Sequence, residues 1–484
     1  MFNKEVYSSR RSALRKKLGS GVALFLGNEE SPYNYLDNTY HFRQDSTFLY
    51  FFGLQLPSLI GVMDIDNEQD WIFGNDVDID DIIWMGPQPS IDELGQKADV
   101  GHTDQLCMAQ TFLINAISKG RKIHILPPYR PEHYLTFERL LGIRPDVIKN
   151  YVSVELVQAI VSLREIKEAI EIAEIEKAID ITYEMHLTAM QLAHPGVKEQ
   201  EIAGIIEGIS LALGNPTSFP VILSMNGETL HNHKHHQILE EGRLMVTDCG
   251  AETTMHYAGD ITRTIPVGGK FSPLQKDIYN IVLAANMKVI ENSRPERTYQ
   301  EQHFLATHTL VEGLKAAGLM KGNTDNALEV GAQALFMPHG LGHAMGLDVH
   351  DMENFGENYV GYGEKTRRST VPGHRSLRFG KELKTGMVIT DEPGCYFIPA
   401  LIDKWRTEKL CTEFINYDAV EKMKGFGGIR VEDNILITDK GCRVLGKPIP
   451  KTVADIETVM AASREKVLAA VKAGERIKIR SLKV

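Results

Sequence analysis

Four acidic residues of this chain lie against short apolar runs of β type, and this placement constrains the fold more than any other feature. Asp248 ends the run LMVT, Asp260 precedes ITRTIPV, Glu392 follows MVIT, and Glu432 lies inside IRVEDNILIT. Runs of this kind read as strands, and strands hold their side chains on stiff backbone. Carboxylates are poor core residues, because burying an unpaired charge is costly. They are good ligands. His343, in MPHGLGHAMGLDVHD, adds one imidazole to the set. Four carboxylates balance two divalent cations, whereas the same four without metal would repel one another and take up protons.

The chemistry of the donors narrows the ion. Carboxylate oxygens suit Mn, Mg or Ca, and one imidazole shifts the choice toward Mn, Co, Fe or Zn. Two ions ~3.5–4 Å apart can clamp a scissile carbonyl and lower the pKa of a bound water to roughly 7. Taken singly, each acid is more often a surface or turn residue, and spacing alone does not lift all five at once. HGLGH lacks the general-base Glu of the helical zinc motif, and its glycines argue against a helix. The residues by themselves stop at a carboxylate-rich metal hydrolase.

With 484 residues, the chain is expected to form two domains. GVALFLG (21–27), SLIGVMDI (58–65), KIHILPP (122–128) and DVIKN (146–150) read as strands and strand edges, and 103–118 reads as a helix. This alternation predicts a small α/β domain. Near 160 a long charged helical pattern begins, which places the domains at 1–160 and 161–484. That helix stops at Pro195 and Gly196. A second helix (198–213), strands, a helical block (274–318), more strands to about 438 and a terminal helix (454–477) follow. The Gly- and charge-rich stretch 353–377 is expected to be a long surface loop near the site.

A net charge of −11 argues against nucleic acid or an anionic membrane as the main partner. No apolar run reaches the roughly 18–20 residues of a membrane span, and no apolar stretch follows the basic start as a signal peptide requires. Five scattered cysteines fit reduced thiols in a cytoplasmic protein.

The ordered motifs resemble the pita-bread metallopeptidases that act on Xaa-Pro bonds, the aminopeptidase P and prolidase family. NTYHFRQDSTFLYFFGL (38–54) is similar to the aminopeptidase P N-terminal signature, while FMPHGLGHAMGLDVHD, RSLR (375–378), EPGCYFI and GFGGIRVEDN read closer to prolidase. The resemblance implies an α/β N-terminal domain followed by an α+β pita-bread catalytic domain. It implies two divalent metal ions, Mn2+ first, with Co2+, Fe2+ or Zn2+ as alternatives. Asp248 would bind one ion through both oxygens, Asp260 and Glu432 would bridge, and His343 and Glu392 would bind the second. Glu392 is also the implied general base.

Three histidines match implied substrate groups. His231 would lie at the proline side, His339 would hydrogen-bond the peptide or the oxyanion, and His350 would contact the leaving amide or the main-chain carbonyl. Arg430 and Arg378 match substrate-binding arginines, Arg378 for a free carboxylate, which a planar guanidinium suits. His233, His235 and His236 read as a solvated loop, and Asp391, Arg43 and Arg164 as structural.

The implied activity is hydrolysis of an N-terminal Xaa-Pro bond on a proline-containing peptide. Aminopeptidase P is favoured, with Xaa-Pro dipeptidase as the alternative and a non-catalytic peptide-binding protein as a remote one. The intact acidic set argues against creatinase-like chemistry, and the N-terminal domain argues against methionine aminopeptidase. A homodimer or higher homo-oligomer is implied by analogy. One departure stands out: twelve positions separate Asp248 from Asp260, one more than the resemblance leads us to expect. The extra residue is expected in the turn, at 253–255, because a slip within a strand would turn a side chain to the other face.

Overall fold

A computed structural model describes residues 1–363 and 366–472, with the side chains of 463–472 left aside. The chain divides into two compact units, one of Met1–Arg164 with Met352–Tyr359, the other of Glu165–Asp351 with Val360–Val484.

The first unit is built on a five-stranded sheet. Its strands are β1 (Val22–Leu26), β2 (Ile60–Asp64), β3 (Gln69–Gly74), β4 (His102–Gln105) and β5 (Ile123–His124), in the order β4-β3-β2-β1-β5. The pairs β1/β2 and β2/β3 are antiparallel, and β1/β5 and β3/β4 are parallel. Every residue of β1 is buried, so helices must cover both faces. Val22, Leu24 and Leu26 pack with Ala109, Leu113 and Phe137. Phe25, of opposite parity, meets Phe51 at 5.3 Å and Phe52 at 5.8 Å between ring centroids. The unit is α/β.

Two expectations fail here. Residues 146–150 form no strand: Pro145 opens a 3-10 helix (Pro145–Asn150), because its fixed φ suits a helical first position. Residues 103–105 belong to strand β4 and the helix starts at Met108; His102 stacks on Trp71 of β3 at 4.5 Å. Residue 160 falls inside the helix Val154–Arg164, whose Leu156, Val157, Ile160 and Val161 are buried. That helix packs on Lys4–Leu18, and the first unit runs on to Arg164.

The second unit combines long helices with small antiparallel sheets. Strands β6 (Ile222–Ser224), β7 (Leu244–Cys249) and β8 (Ile261–Pro266) form one sheet in that order. Strands β9 (Val388–Asp391), β10 (Gly394–Tyr396), β11 (Gly428–Arg430), β12 (Asp433–Ile437) and β13 (Cys442–Val444) form a β13-β12-β9 sheet and a β10-β11 pair. The long helices are Ala169–Leu192, Glu199–Leu213, Pro273–Asn292, Tyr299–Ala316 and Val453–Lys472. The long helix starts at Ala169, capped by Glu168. Positions 473–477 of the expected terminal helix lie outside the described residues.

The stretch 353–377 is not a simple surface loop. It holds the short helices Glu353–Phe355, Glu357–Val360 and His374–Ser376, and Tyr362, Thr366 and His374 are buried. Tyr362 donates its hydroxyl to Leu377 O at 2.7 Å.

Candidate metal centre

The aspartate hairpin is held in one register. Cys249 pairs Ile261 and Asp248 pairs Thr262; the ladder continues to the bridge Glu252–Ala258 without a bulge. Asp260, two residues before Thr262, therefore faces the same side as Asp248. The tip closes with Thr253 N on Tyr257 O and His256 N on Thr253 O. His256 takes a left-handed φ of 67° there. The strands approach so closely that a Cβ on Gly250 would meet Gly259 O at 1.7 Å.

The other donors come from two directions. Glu432 lies between β11 and β12, and its N–H donates to Thr262 O at 3.0 Å. Asn434 exchanges hydrogen bonds with the Asp260 backbone, at 3.1 Å from Asp260 N and 2.6 Å to Asp260 O. The HGLGH segment runs beside β9: Thr390 N donates to His343 O at 3.0 Å, and Glu392 N to Leu341 O at 2.9 Å. It is not helical.

These elements bring Asp248, Asp260, His343, Glu392 and Glu432 to one cavity of about 580 Å3, together with His231, His339, His350, Arg378 and Arg430. His343 Nε2 is 3.4 Å from Asp260 Oδ2 and 3.7 Å from Glu392 Oε1. Ligand atoms of Asp260, His343 and Glu432 all lie within 4.8 Å of one another, close enough to share an ion. His343 Nδ1–H donates to Ala344 O at 3.1 Å, which leaves Nε2 with its lone pair toward the acids.

The acids are short of positive charge. Burial is the largest cause pushing Asp260, Glu392 and Glu432 well above the carboxylate range, and neighbouring carboxylates push them further. Asp248 gives Oδ2 to Arg430 NH2 at 2.5 Å, while its buried Oδ1 has no hydrogen-bond partner. A buried carboxylate oxygen without a donor, beside three reluctant acids and an aimed imidazole, fits a divalent cation. It does not fit an empty polar core, where such groups find partners.

Arg430 is the cation the chain itself supplies. Besides Asp248 it donates to Tyr396 Oη at 2.8 Å and to Thr262 Oγ1 at 3.0 Å. Thr262 in turn donates to Glu432 Oε2 at 2.7 Å. Tyr396, which the sequence reading quoted in EPGCYF but left without a role, then donates to His339 Nε2 at 3.0 Å. His339 Nδ1 meets Gly340 O at 2.7 Å, so the ring carries its proton on Nδ1. Burial and Arg430 lower its pKa to about 3, and it is neutral. Both ring nitrogens are engaged. The donor role expected of His339 therefore requires it to exchange one of these partners for substrate.

His350 stacks on His343, with centroids 3.8 Å apart and planes at 28°. His231 is exposed at the rim, its pKa lowered first by partial burial and then by Arg430. His233 also lines the cavity, and His235 Nδ1 bonds Leu223 O at 3.0 Å; of the three expected in solvated loop, only His236 is simply exposed. Sequence reasoning also missed Thr262 and Thr390. Thr390 accepts from His343 N at 3.0 Å and faces Glu392 Oε1 at 3.4 Å. Their signal was parity: each lies two residues from an acid on the same strand face.

Behind the centre, Arg263 donates to Asp433 Oδ1 at 2.7 Å and Lys451 to Oδ2 at 2.6 Å. Burial alone would raise Asp433, but the two cations hold it at about 2. Asp391, across the β9/β12 ladder from Asp433, accepts from Asn286 Nδ2 at 3.0 Å. Arg164 donates to Thr47 Oγ1, and Arg43 to Ser46 Oγ, each at 3.0 Å within the first unit.

Residues 173–439 match metallopeptidase family M24, and residues 7–125 match the aminopeptidase P N-terminal domain. A rat Xaa-Pro dipeptidase is 31% identical over 92% of this chain and 89% of its own length. A probable Xaa-Pro aminopeptidase of Aspergillus clavatus is 33% identical over 88% of this chain and 90% of its own. Among solved structures, Escherichia coli aminopeptidase P with the inhibitor Pro-Leu superposes with a TM-score of 0.79 at 27% identity, covering 96% of this chain and all of that one. With its acids, imidazole and arginine gathered in one cavity, this chain belongs to metallopeptidase family M24, the pita-bread peptidases, and carries an aminopeptidase P N-terminal domain.

Proposed function

We propose that this protein is a dinuclear metal-dependent exopeptidase that releases the N-terminal residue from Xaa-Pro peptides, an Xaa-Pro aminopeptidase. The observation that carries this reading is the convergence of five donors on one peptide-sized cavity with Asp248 Oδ1 left unpartnered. Asp248, Asp260, His343, Glu392 and Glu432 would hold two divalent ions, Mn2+ first by donor chemistry. Bound there, the ions supply Lewis-acid polarisation of the scissile carbonyl and an acidified water.

The chain's own groups do the rest. Glu392, on the cavity wall with His339 Nδ1 3.8 Å away, takes the proton from the attacking water and returns it to the leaving proline nitrogen. Arg430 orients Asp248, and it fixes His339 through Tyr396. His231 and His350 contact the proline side and the peptide carbonyl. Proline lacks a peptide N–H, so a wall shaped for its ring loses no hydrogen bond there.

A second reading is Xaa-Pro dipeptidase, favoured by Arg378 on the same cavity wall, where a guanidinium suits a free carboxylate. Turnover of an Xaa-Pro dipeptide against an Xaa-Pro-Xaa tripeptide with Mn2+ separates the two. Cleavage of the dipeptide alone refutes the aminopeptidase preference; no cleavage of either, with metal bound, leaves a peptide-binding protein.

We further place the protein in the cytoplasm, as a homo-oligomer. The first rests on five free cysteines, two of them buried, and no described helix is long and apolar enough to cross a membrane. The second rests on the bare apolar helix Ile79–Met85, where Trp84 is 85% exposed. Light scattering measures the oligomer: a monomer at all concentrations removes that part.

A further inference from the structure

Away from the acids, two buried histidines face each other. His303 lies in the first turns of the helix Tyr299–Ala316, and His374 opens the 3-10 turn His374–Ser376; both are at most 3% exposed. His374 Nδ1 is 2.9 Å from His303 Nε2, with the rings perpendicular at 89°. Gln333 Nε2 lies 2.9 Å from His374 Nε2 and 3.3 Å from Pro372 O. His374 Nε2 also lies 3.3 Å from Leu328 O, so the ring is held from three sides, and either tautomer puts one proton between the two histidines.

Such a pair is a poor way to stabilise a core. His303 Nδ1 and Gln333 Oε1 are buried without partners, and an apolar pair of the same shape would avoid that desolvation cost. What a hydrogen bond adds is direction.

The element it directs is the rim of the cavity. Ser376 and Arg378, both on the cavity wall, follow His374 by two and four residues. The same helix grips the chain on the far side of Arg378, where Tyr299 N donates to Lys381 O at 2.9 Å and Gln300 N to Gly380 O at 3.3 Å. Between the two grips the turn presses on the HGLGH segment. A Cβ on Gly340 would meet Leu377 Cα at 2.6 Å and Ser376 O at 2.9 Å. Ring pair, helix start and Gly340 leave this turn one position.

We propose that the His303–His374 pair, oriented by Gln333, is a positioning device that sets Arg378 for a substrate carboxylate. It therefore governs preference for peptides ending at proline. The inference rests on the reading of Arg378 given above.

The test compares an Xaa-Pro dipeptide with its C-terminal amide, using metal-loaded full-length protein. Arg378→Ala should cut the acid-to-amide ratio of kcat/KM by about thirtyfold, and His374→Leu by about tenfold through KM with kcat held within about twofold. In the double variant, His374→Leu should change the ratio no further. His374→Asn, whose amide reaches the Nδ1 position, should recover most of the ratio.

A ratio that Arg378→Ala leaves unchanged removes the carboxylate role and this proposal with it. A ratio altered by Arg378→Ala but not by His374→Leu overturns the positioning role alone, as does an equal loss on both substrates. If His374→Leu does not fold, Gln333→Leu replaces it under the same two outcomes.

Discussion

Arg430 holds Asp248 by one oxygen, at 2.5 Å, and leaves the other oxygen bare. The guanidinium thus orients the carboxylate without satisfying it. Arg430→Lys keeps the charge but loses the fork that also reaches Thr262 and Tyr396. We expect kcat/KM to fall about a hundredfold, with metal content measured by atomic spectroscopy falling less than twofold. A loss under threefold would mean that the fork does not matter.

Glu392→Gln removes the proposed proton carrier while keeping an oxygen near His343. Turnover should drop about a thousandfold while KM stays within threefold. Unaltered turnover would move the general base elsewhere.

Metal removal should reverse the pH dependence of stability. Asp260, Glu392 and Glu432 have raised values in the metal-free fold, burial being the main cause. At pH values above about 4, the unfolded chain has released protons that the folded chain still binds. Stability of the chelated protein is therefore full at low pH and declines as pH rises through the raised values. Mn2+, the ion proposed for the ionised acids, should remove the decline. Thermal melts at pH 5 and pH 8, with and without chelator, decide it: a chelated protein more stable at pH 8 contradicts the assignment.

The ion pair of Lys167 Nζ with Asp351 Oδ2, at 2.8 Å with side chains 2% and 1% exposed, lies beside His350. Lys167→Met should cost about 3–5 kcal/mol by leaving a buried carboxylate without its cation. Adding Asp351→Asn should restore over half of it. Denaturant titration reads both, and a single variant within 1 kcal/mol of the parent rules the pair out as a stabilising contact.

The acids were legible because each abuts an apolar run, and a charge there demands an explanation. Asp248, Asp260, Glu392 and Glu432 all reach the cavity, and the twelve-residue spacing resolves into an unbulged ladder closed by His256. What the sequence hid was polar structure without apolar rhythm. Strand β4, HTDQ, has no hydrophobic signature and pairs only because Trp71 and its neighbours offer an edge. Tyr396 looked like one more aromatic beside a glutamate, and only the fold places its hydroxyl between Arg430 and His339. His374 sits among arginines and glycines, with nothing local to announce a partner seventy-one residues away.

The excursion of Met352–Tyr359 into the first unit has a bearing on modularity. The two units are not beads on a string, since the chain passes from the second into the first and back within eight residues, just after His350. A fragment starting at Glu165 would carry those eight residues without the unit they belong to, immediately downstream of a histidine that stacks on His343, the imidazole proposed as a metal ligand. The first unit is therefore not one unbroken stretch of sequence, and a single cut between Arg164 and Glu165 does not sort the residues into their two units.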